Sequence, residues 1–350
     1  MITITTAAKT TVNEQIILSN TNSMISMNNK MAASIEDLSI NNDTSTICAN
    51  CGKDVSNPNI CNKCKAATYC NASCKKKHRS KHKQECEKRV AELHEEQLER
   101  DRRAAELHDE KLFIQPPPNE DCPICMLRLP SLEEGRVYRP CCGKMICSGC
   151  LLAAAMRNIK EQKCAFCRTP APTSAVDMLD EMKKRAGVGD AEAICNLGSW
   201  YADGDYGMPQ NHNKALELWH QAAKLGYAPS HFNIGNAYYA GDGVERNEKK
   251  AVHYYELAAT GGDVESRYNL GAMEFNAGNM DRALKHFVIA AGCGSTVSLE
   301  DIKQMFMDGQ ATKDDYAKAL RVHQANLVEI KSSQRDEAAA FDERYKYYEE

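Results

Sequence analysis

Long apolar runs are missing from this sequence: no stretch of its 350 residues approaches the about eighteen consecutive apolar side chains that a membrane-spanning helix requires, so no membrane role is expected. The first twenty residues, MITITTAAKTTVNEQIILSN, also lack a basic segment followed by an apolar run of roughly seven or more. An unexported protein of a reducing compartment, cytoplasmic or nuclear and not secreted, is therefore expected. Charge of one sign is not in excess either. With 44 Lys and Arg against 48 Asp and Glu the net charge is -4, which excludes a general attraction to nucleic acid or to anionic lipid. Any such binding must be local.

Cysteine, in contrast, is abundant. Of 17 cysteines, 15 fall between Cys48 and Cys167, in two blocks whose spacings are those of metal ligands. In a reducing compartment disulfides do not persist, so this clustering decides for zinc. The two remaining, Cys195 and Cys293, lack an accompanying His or Asp constellation and read as small buried hydrophobes rather than nucleophiles.

The first block, residues 48–86, offers Cys48, Cys51, Cys61, Cys64, Cys70, Cys74, His82 and Cys86. A CxxC turn brings two thiolates to one ion, while CxxxC and HxxxC stand one helical turn apart and present both donors on one helix face. Eight donors make two closed sites with no position for substrate, which argues against hydrolytic chemistry. His78 is the alternative to His82, and His82 is preferred because it stands one turn from Cys86. The order, with the aromatic Tyr69 before Cys70, resembles the MYND finger over the whole block. That resemblance implies cross-bracing, with Cys48, Cys51, Cys70 and Cys74 on one ion and Cys61, Cys64, His82 and Cys86 on the other. It also implies a binder of short proline-containing peptides. Some such fingers accompany methyltransferase domains, but no segment here resembles one. Eight Lys or Arg against two Glu between Lys75 and Arg89 read as a solvated face that offsets thiolate charge, with nucleic-acid binding as the competing reading.

The second block runs Cys122, Cys125, Cys141, Cys142, Cys147, Cys150, Cys164 and Cys167. Cys141 and Cys142 are adjacent, and neighbours in an extended strand point to opposite faces, so they must lie in a turn, for which Gly143 can supply a positive φ. The spacing alone leaves open whether both ligate. Arg139, Lys144, Lys163 and Arg168 are the basic neighbours that would balance all-thiolate sites. The paired CxxC units resemble a RING finger in which cysteine replaces the usual histidine. By that resemblance Cys122, Cys125, Cys147 and Cys150 share one zinc, and Cys141, Cys142, Cys164 and Cys167 the other. It further implies that Ile124, with Leu151, Leu152 and Met156 across the groove, contacts a ubiquitin-conjugating enzyme and that Arg168 bridges to ubiquitin. Ala165 departs from the pattern, standing where many active members have proline.

Around these blocks the chain is organised simply. Residues 1–47 hold 21 Ser, Thr or Asn and read as a disordered tail. Residues 87–118 form a charged helical spacer ending in Pro116, Pro117 and Pro118, a stiff boundary. From 175 to 330 a repeat of 32 to 37 residues appears, aligned on Leu197-Gly198, Ile234-Gly235, Leu270-Gly271 and Ile302-Lys303, and on Ala215, Ala251, Ala283 and Ala319. An aromatic follows each Ala by four residues (Trp219, Tyr255, Phe287, with His323 in the last), and Gly226, Gly261 and Gly294 end the first three units. Small residues let helices approach, aromatics are expected to fill the gap between successive hairpins, and the terminal glycines are expected to supply left-handed caps. NLGSWYADG, NIGNAYYAGDGV and NLGAMEFNAGN resemble the Sel-one-like variety of short TPR-type repeat. Residues 331–350 run out as a charged tail.

The expected fold is thus mainly α, two small cross-braced zinc modules followed by an α-solenoid of helical hairpins. The expected function is a RING-type ubiquitin ligase with no catalytic residue of its own, recruiting substrate through its repeats and first finger. The alternative is a non-catalytic adaptor whose modules only bind proteins. Elemental analysis of the purified chain should find four zinc ions per molecule; little metal in the native protein would remove the basis of both readings.

Overall fold

The computed structural model describes residues 46–131, 135–157 and 163–348, so the expectation for the 1–47 tail lies, but for its last two residues, outside the described residues. The described chain forms two compact units, one ending at Glu110 and the other beginning at Lys111. Among the described residues no helix is long and apolar enough to cross a membrane.

The first unit opens with two short antiparallel pairs, β1 (Thr46–Ile47) with β2 (Asp54–Val55) and β3 (Asn59–Ile60) with β4 (Thr68–Tyr69). They lead into α1 (Ala72–Leu112), whose last two residues belong with the second unit. Asn71 caps this helix by accepting the amide of Cys74 at 2.9 Å. The helix carries the last ligands of the first block and continues without a break through the expected spacer. Its run of Ala, Leu, Glu, Gln, Lys and Arg favours helix at every turn. Exposed pairs three and four apart, such as Arg102 with Glu99 and Glu106, support it further. It ends before Pro116, as an X-Pro sequence requires.

In the second unit an antiparallel hairpin, β5 (Arg136–Arg139) and β6 (Lys144–Cys147), precedes α2 (Ser148–Arg157). Next comes α3 (Ala175–Gly187), which packs on the first of four helical hairpins. These pair α4 (Ala191–Asp203) with α5 (His212–Lys224), α6 (Ala228–Ala240) with α7 (Glu248–Thr260), α8 (Val264–Asn276) with α9 (Met280–Gly292), and α10 (Thr296–Met307) with α11 (Lys313–Ile330). Side-chain caps from Asp190, Asn211, Asn247, Asp263, Ser295 and Thr312 start six of these eight helices, so the repeat is written into the caps as well as the core.

The repeated glycines and aromatics meet within a hairpin, not between successive hairpins. A Cβ on Gly198 would stand 2.7 Å from Trp219, one on Gly235 2.7 Å from Tyr255, and one on Gly271 2.6 Å from Phe287. Each aromatic of a second helix thus lies flush on the glycine of its own first helix. The fourth hairpin has Lys303 at the glycine's place, and its counterpart is the smaller buried ring of His323. One terminal glycine also differs from expectation. Gly226 and Gly294 are left-handed, but in the second unit of the repeat Gly262, with φ 99°, takes that conformation and Gly261 does not.

Two arginines are almost wholly buried here. Arg267, 1% exposed, donates from Nη1 to the Leu112 carbonyl at 2.6 Å and from Nη2 to the Ala259 carbonyl at 2.8 Å. Both acceptors sit in the last turn of a helix, where partial negative charge offsets a buried cation. Arg335 is fully buried in α12 (Ser333–Phe341), which packs against α2, and Tyr347 beyond it is also buried. The segment expected to be a charged tail is therefore folded as far as Tyr348.

Gly235→Val should destabilise the solenoid by about 1–3 kcal/mol, because the added atoms must displace the Tyr255 ring from a packed core. Chemical denaturation followed by far-ultraviolet circular dichroism would check this, and an unchanged midpoint would mean that the glycine and aromatic pairs do not set hairpin packing.

Candidate metal centres

The structure brings all sixteen candidate ligands into four groups, and within each group the donor atoms lie within 4.8 Å of one another. In the first unit these are Cys48, Cys51, Cys70 and Cys74, and Cys61, Cys64, His82 and Cys86. In the second they are Cys122, Cys125, Cys147 and Cys150, and Cys141, Cys142, Cys164 and Cys167. Each pairing is interleaved along the chain, so a cut between Cys64 and Cys70, or between Cys142 and Cys147, breaks both sites of its module.

Distances identify what holds each group together. Thiolates on one tetrahedral zinc stand about 3.7 Å apart, given zinc–sulfur bonds of about 2.3 Å. The Sγ atoms of Cys51 and Cys70 are 3.7 Å apart, those of Cys61 and Cys86 3.7 Å, those of Cys125 and Cys147 3.8 Å, and those of Cys142 and Cys164 3.9 Å. These are far beyond a disulfide and match the edges of a coordination tetrahedron. His82 Nε2 lies 3.3 Å from Cys64 Sγ, whereas His78 turns its Nδ1 to the Tyr69 hydroxyl at 3.3 Å. His82 is thus the imidazole in the group, and His78 braces the buried tyrosine beside it.

One backbone device recurs four times. After Cys48-x-x-Cys51, Cys61-x-x-Cys64, Cys122-x-x-Cys125 and Cys164-x-x-Cys167 the next residue has positive φ: Gly52 71°, Lys65 60°, Met126 58° and Arg168 65°. In each, that residue's amide donates to the carbonyl of the first cysteine, at 2.9 to 3.0 Å. In three of the turns the amides of the third and fourth residues point at the first sulfur, that of Cys48, Cys61 or Cys122, which favours thiolate over thiol. Three of the four positions hold side chains that adopt this region only at a cost, so the turn is imposed by the site, not by local preference.

Cys141 and Cys142 reach one site from a different turn. The amides of Cys142 and Gly143 both donate to the Arg139 carbonyl, at 3.1 and 2.8 Å, and Gly143 has φ 64°. This reversal between β5 and β6 puts both sulfurs on the same side, with Cys141 3.5 Å from Cys167 and Cys142 3.9 Å from Cys164.

Proton affinities follow from the crowding. A hydrogen bond from the Cys147 thiol, against the opposing effect of burial, pulls Cys122 down to about 4. The same contact, together with burial, pushes Cys147 well above the ordinary thiol range. Likewise Cys70 is pushed up to about 12, first by its hydrogen bond with Cys74, while a backbone hydrogen bond at Cys70 draws Cys48 down to about 6. Without a cation the sulfurs of one group cannot all ionise together; a divalent ion removes that conflict.

Several groups that matter here carry no local signal in the sequence. Arg185 of α3 donates from Nη2 to the Cys142 carbonyl at 2.8 Å and lies so close over Gly143 that a Cβ there would overlap its guanidinium. Arg335 brings Nη2 to 3.9 Å from Cys125 Sγ across 210 residues of sequence. Lys75, read as part of a solvated basic face, instead folds its Nζ onto the Ile60 carbonyl at 2.8 Å and the side chains of Asn59 and Asn62. The candidate partner-binding residues fall in different settings. Ile124 and Arg168 are exposed, whereas Leu151 is half-buried against the core of its module.

Comparison with known proteins agrees in part. Residues 48–86 match the MYND finger, and residues 191–227 and 228–263 each match the Sel1 repeat, which covers the first two hairpins. Over 52 residues the chain is 44% identical to the E3 ubiquitin-protein ligase DA2 of Arabidopsis thaliana, a stretch that is 15% of this chain and 12% of that protein. Among solved structures, a Sel1 repeat protein from Oxalobacter formigenes is 22% identical over 50% of this chain and 71% of its own, with a TM-score of 0.40. The protective antigen c5321 of uropathogenic Escherichia coli, described as having an SLR fold, is 25% identical over 49% of this chain and 37% of its own, with a TM-score of 0.37. The first finger therefore binds zinc, and the repeats and finger are protein-interaction modules.

Replacing His82 by Ala should lower the zinc content by one ion per chain, while His78→Ala should leave it unchanged. Elemental analysis of both variants checks this, and loss of metal from the His78 variant would reassign the ligand.

Proposed function

We propose that residues 122–168 are a RING-type module and that the chain is a ubiquitin ligase without a catalytic residue of its own. Closed tetrahedral sites leave no open metal position, so the module works by holding its partners. In this reading it positions a charged ubiquitin-conjugating enzyme so that a substrate lysine attacks the thioester, an effect of proximity and orientation. The repeats and the MYND finger, the latter through proline-containing peptides, recruit the protein to be modified.

The observation that carries this reading is apolar exposure on a small zinc module. Ile124 is 41% exposed, Met126 73% and Phe166 43%, and all three stand on the two CxxC turns that end in positive φ. Met156 on α2 is exposed as well. Large apolar side chains left in water on so small a module are the surface that a partner would cover in this reading. Arg168 follows the last cysteine and is exposed, where a cation can bridge to a second protein. The likeness to DA2 supports the same direction. Leu151, half-buried in the module's core, contributes shape to the surface more than contact area.

Ubiquitin-chain formation by the full chain over a panel of conjugating enzymes tests the proposal. Ile124→Ala should reduce the rate by about thirtyfold, the loss of roughly 2 kcal/mol expected for an anchor at an interface. Arg168→Asn, chosen because Asn tolerates positive φ, should lower it too, with the zinc content of both variants intact. Silence across the panel by zinc-replete protein would sink the ligase reading and leave the adaptor, in which all three modules only bind proteins.

A further inference from the structure

The Arg335 guanidinium is fully buried, and its acceptors are carbonyls and a sulfur. Nη1 donates to Ile330 O at 2.6 Å, at the end of α11, and to Arg128 O at 2.8 Å; Nη2 donates to Leu127 O at 3.4 Å and lies 3.9 Å from Cys125 Sγ. Leu127 and Arg128 are the residues that complete the turn after Cys125, and Leu127 O also accepts the amide of Cys122 at 2.8 Å. The arginine therefore closes this turn from outside. Its acidic neighbour in sequence, Asp336, is turned to the Tyr347 hydroxyl, and the Tyr347 ring lies 5.9 Å from the guanidinium. A buried cation is costly unless something balances it. A zinc bound by four thiolates carries a formal charge near -2, which supplies that balance.

Steric evidence is independent of charge. A Cβ on Gly149 of α2 would stand 2.8 to 2.9 Å from the backbone of Gln334 and Arg335, so α12 approaches as closely as it does only because that residue is glycine. A Cβ on Gly135 would stand 2.5 Å from both Pro130 and Tyr347. The C-terminal segment is keyed into the second module at two glycines and one buried arginine, while Ile124, Met126 and Phe166 are left exposed.

We infer that residues 331–348 are a structural component of the second zinc module, and that Arg335 is a positioning residue that offsets part of the charge of the Cys122, Cys125, Cys147 and Cys150 centre and slows loss of its zinc. This requires zinc in the module and is independent of any role in ubiquitin transfer. The guanidinium acts in two ways. Its hydrogen bonds fix the carbonyls of the turn that orients Cys125, and its charge stabilises the anionic centre. Outer groups of this kind hold metal ligands in place and tune their affinity.

The test uses the zinc-loaded full chain, incubated with a chelator and an alkylating agent, with modified cysteines located by peptide mapping over time. In Arg335→Gln the sulfurs of Cys122, Cys125, Cys147 and Cys150 should be alkylated about tenfold faster than in the parent, ahead of the other eleven cysteine ligands. Arg335→Lys keeps the charge, loses the planar fork and is the milder variant; it should show the same order with a smaller acceleration. Arg267→Gln removes an equally buried arginine whose neighbouring thiol is Cys293, not a zinc ligand, and should not single out these four. Rates at the four within about twofold of the parent in both Arg335 variants would overturn the proposal. Even acceleration over all fifteen cysteine ligands would overturn it equally, by reducing Arg335 to general support of the fold.

Discussion

Four sulfurs held a few ångströms apart repel one another once ionised, and both small modules are organised around that conflict. In the first, the buried apolar residues are Cys48, Cys61, Cys64, Tyr69 and Cys86, so Tyr69 is the one that is not a ligand. In the second, among the described residues, Cys122, Cys147, Cys150 and Cys164 share the buried cluster with Leu129 and Ile146. What would be hydrocarbon in a larger domain is donor atoms here, and such a core is cohesive only with a cation at its centre. The positive φ at Lys65, Met126 and Arg168 is the backbone cost of the tight turns that carry those sulfurs. It is tolerated because metal binding contributes far more than a strained turn takes away.

In the second unit the metal core is joined to a conventional one through arginines. Arg185 reaches from α3 to the turn that carries Cys142, and Arg335 reaches from α12 to the turn that carries Cys125. Each therefore touches a different zinc site of one module, and each belongs to a helix flanking the repeat stack. Arg267 does related work inside the stack, binding the last carbonyls of two helices. A long, planar, permanently charged side chain suits all three places, because it satisfies several carbonyls at once while its stem packs among apolar neighbours.

Much of this was legible in the order of residues. Ligand pairs such as Cys48 with Cys51, or His82 with Cys86, are local, and local spacing is what a sequence records directly. The hairpins were legible for the same reason, through Gly198, Gly235 and Gly271 and the aromatics that follow. The partner of each aromatic was not, because periodicity says that Trp219 and Gly198 recur together without saying which helices they join. The C-terminal segment was least legible. Its Arg335, Asp336 and Glu337 read as solvated charge, and only the fold turns Arg335 inward over a turn formed more than two hundred residues earlier. Lys75 is a smaller case, drawn out of an apparently basic surface by the carbonyl of Ile60.

That separation in sequence has a temporal side. A ribosome adding about 5–20 residues per second would take about 10–40 s to cover the 210 positions from Cys125 to Arg335. Once Cys167 has been added, and for the rest of that interval, the nascent second module holds its cysteines but has no guanidinium over its first zinc site. Any chain halted within the repeats would display the apolar turns around Ile124 and Phe166 on an unfinished support. The late-emerging helix thus distinguishes a chain synthesised past Arg335 from one halted before it.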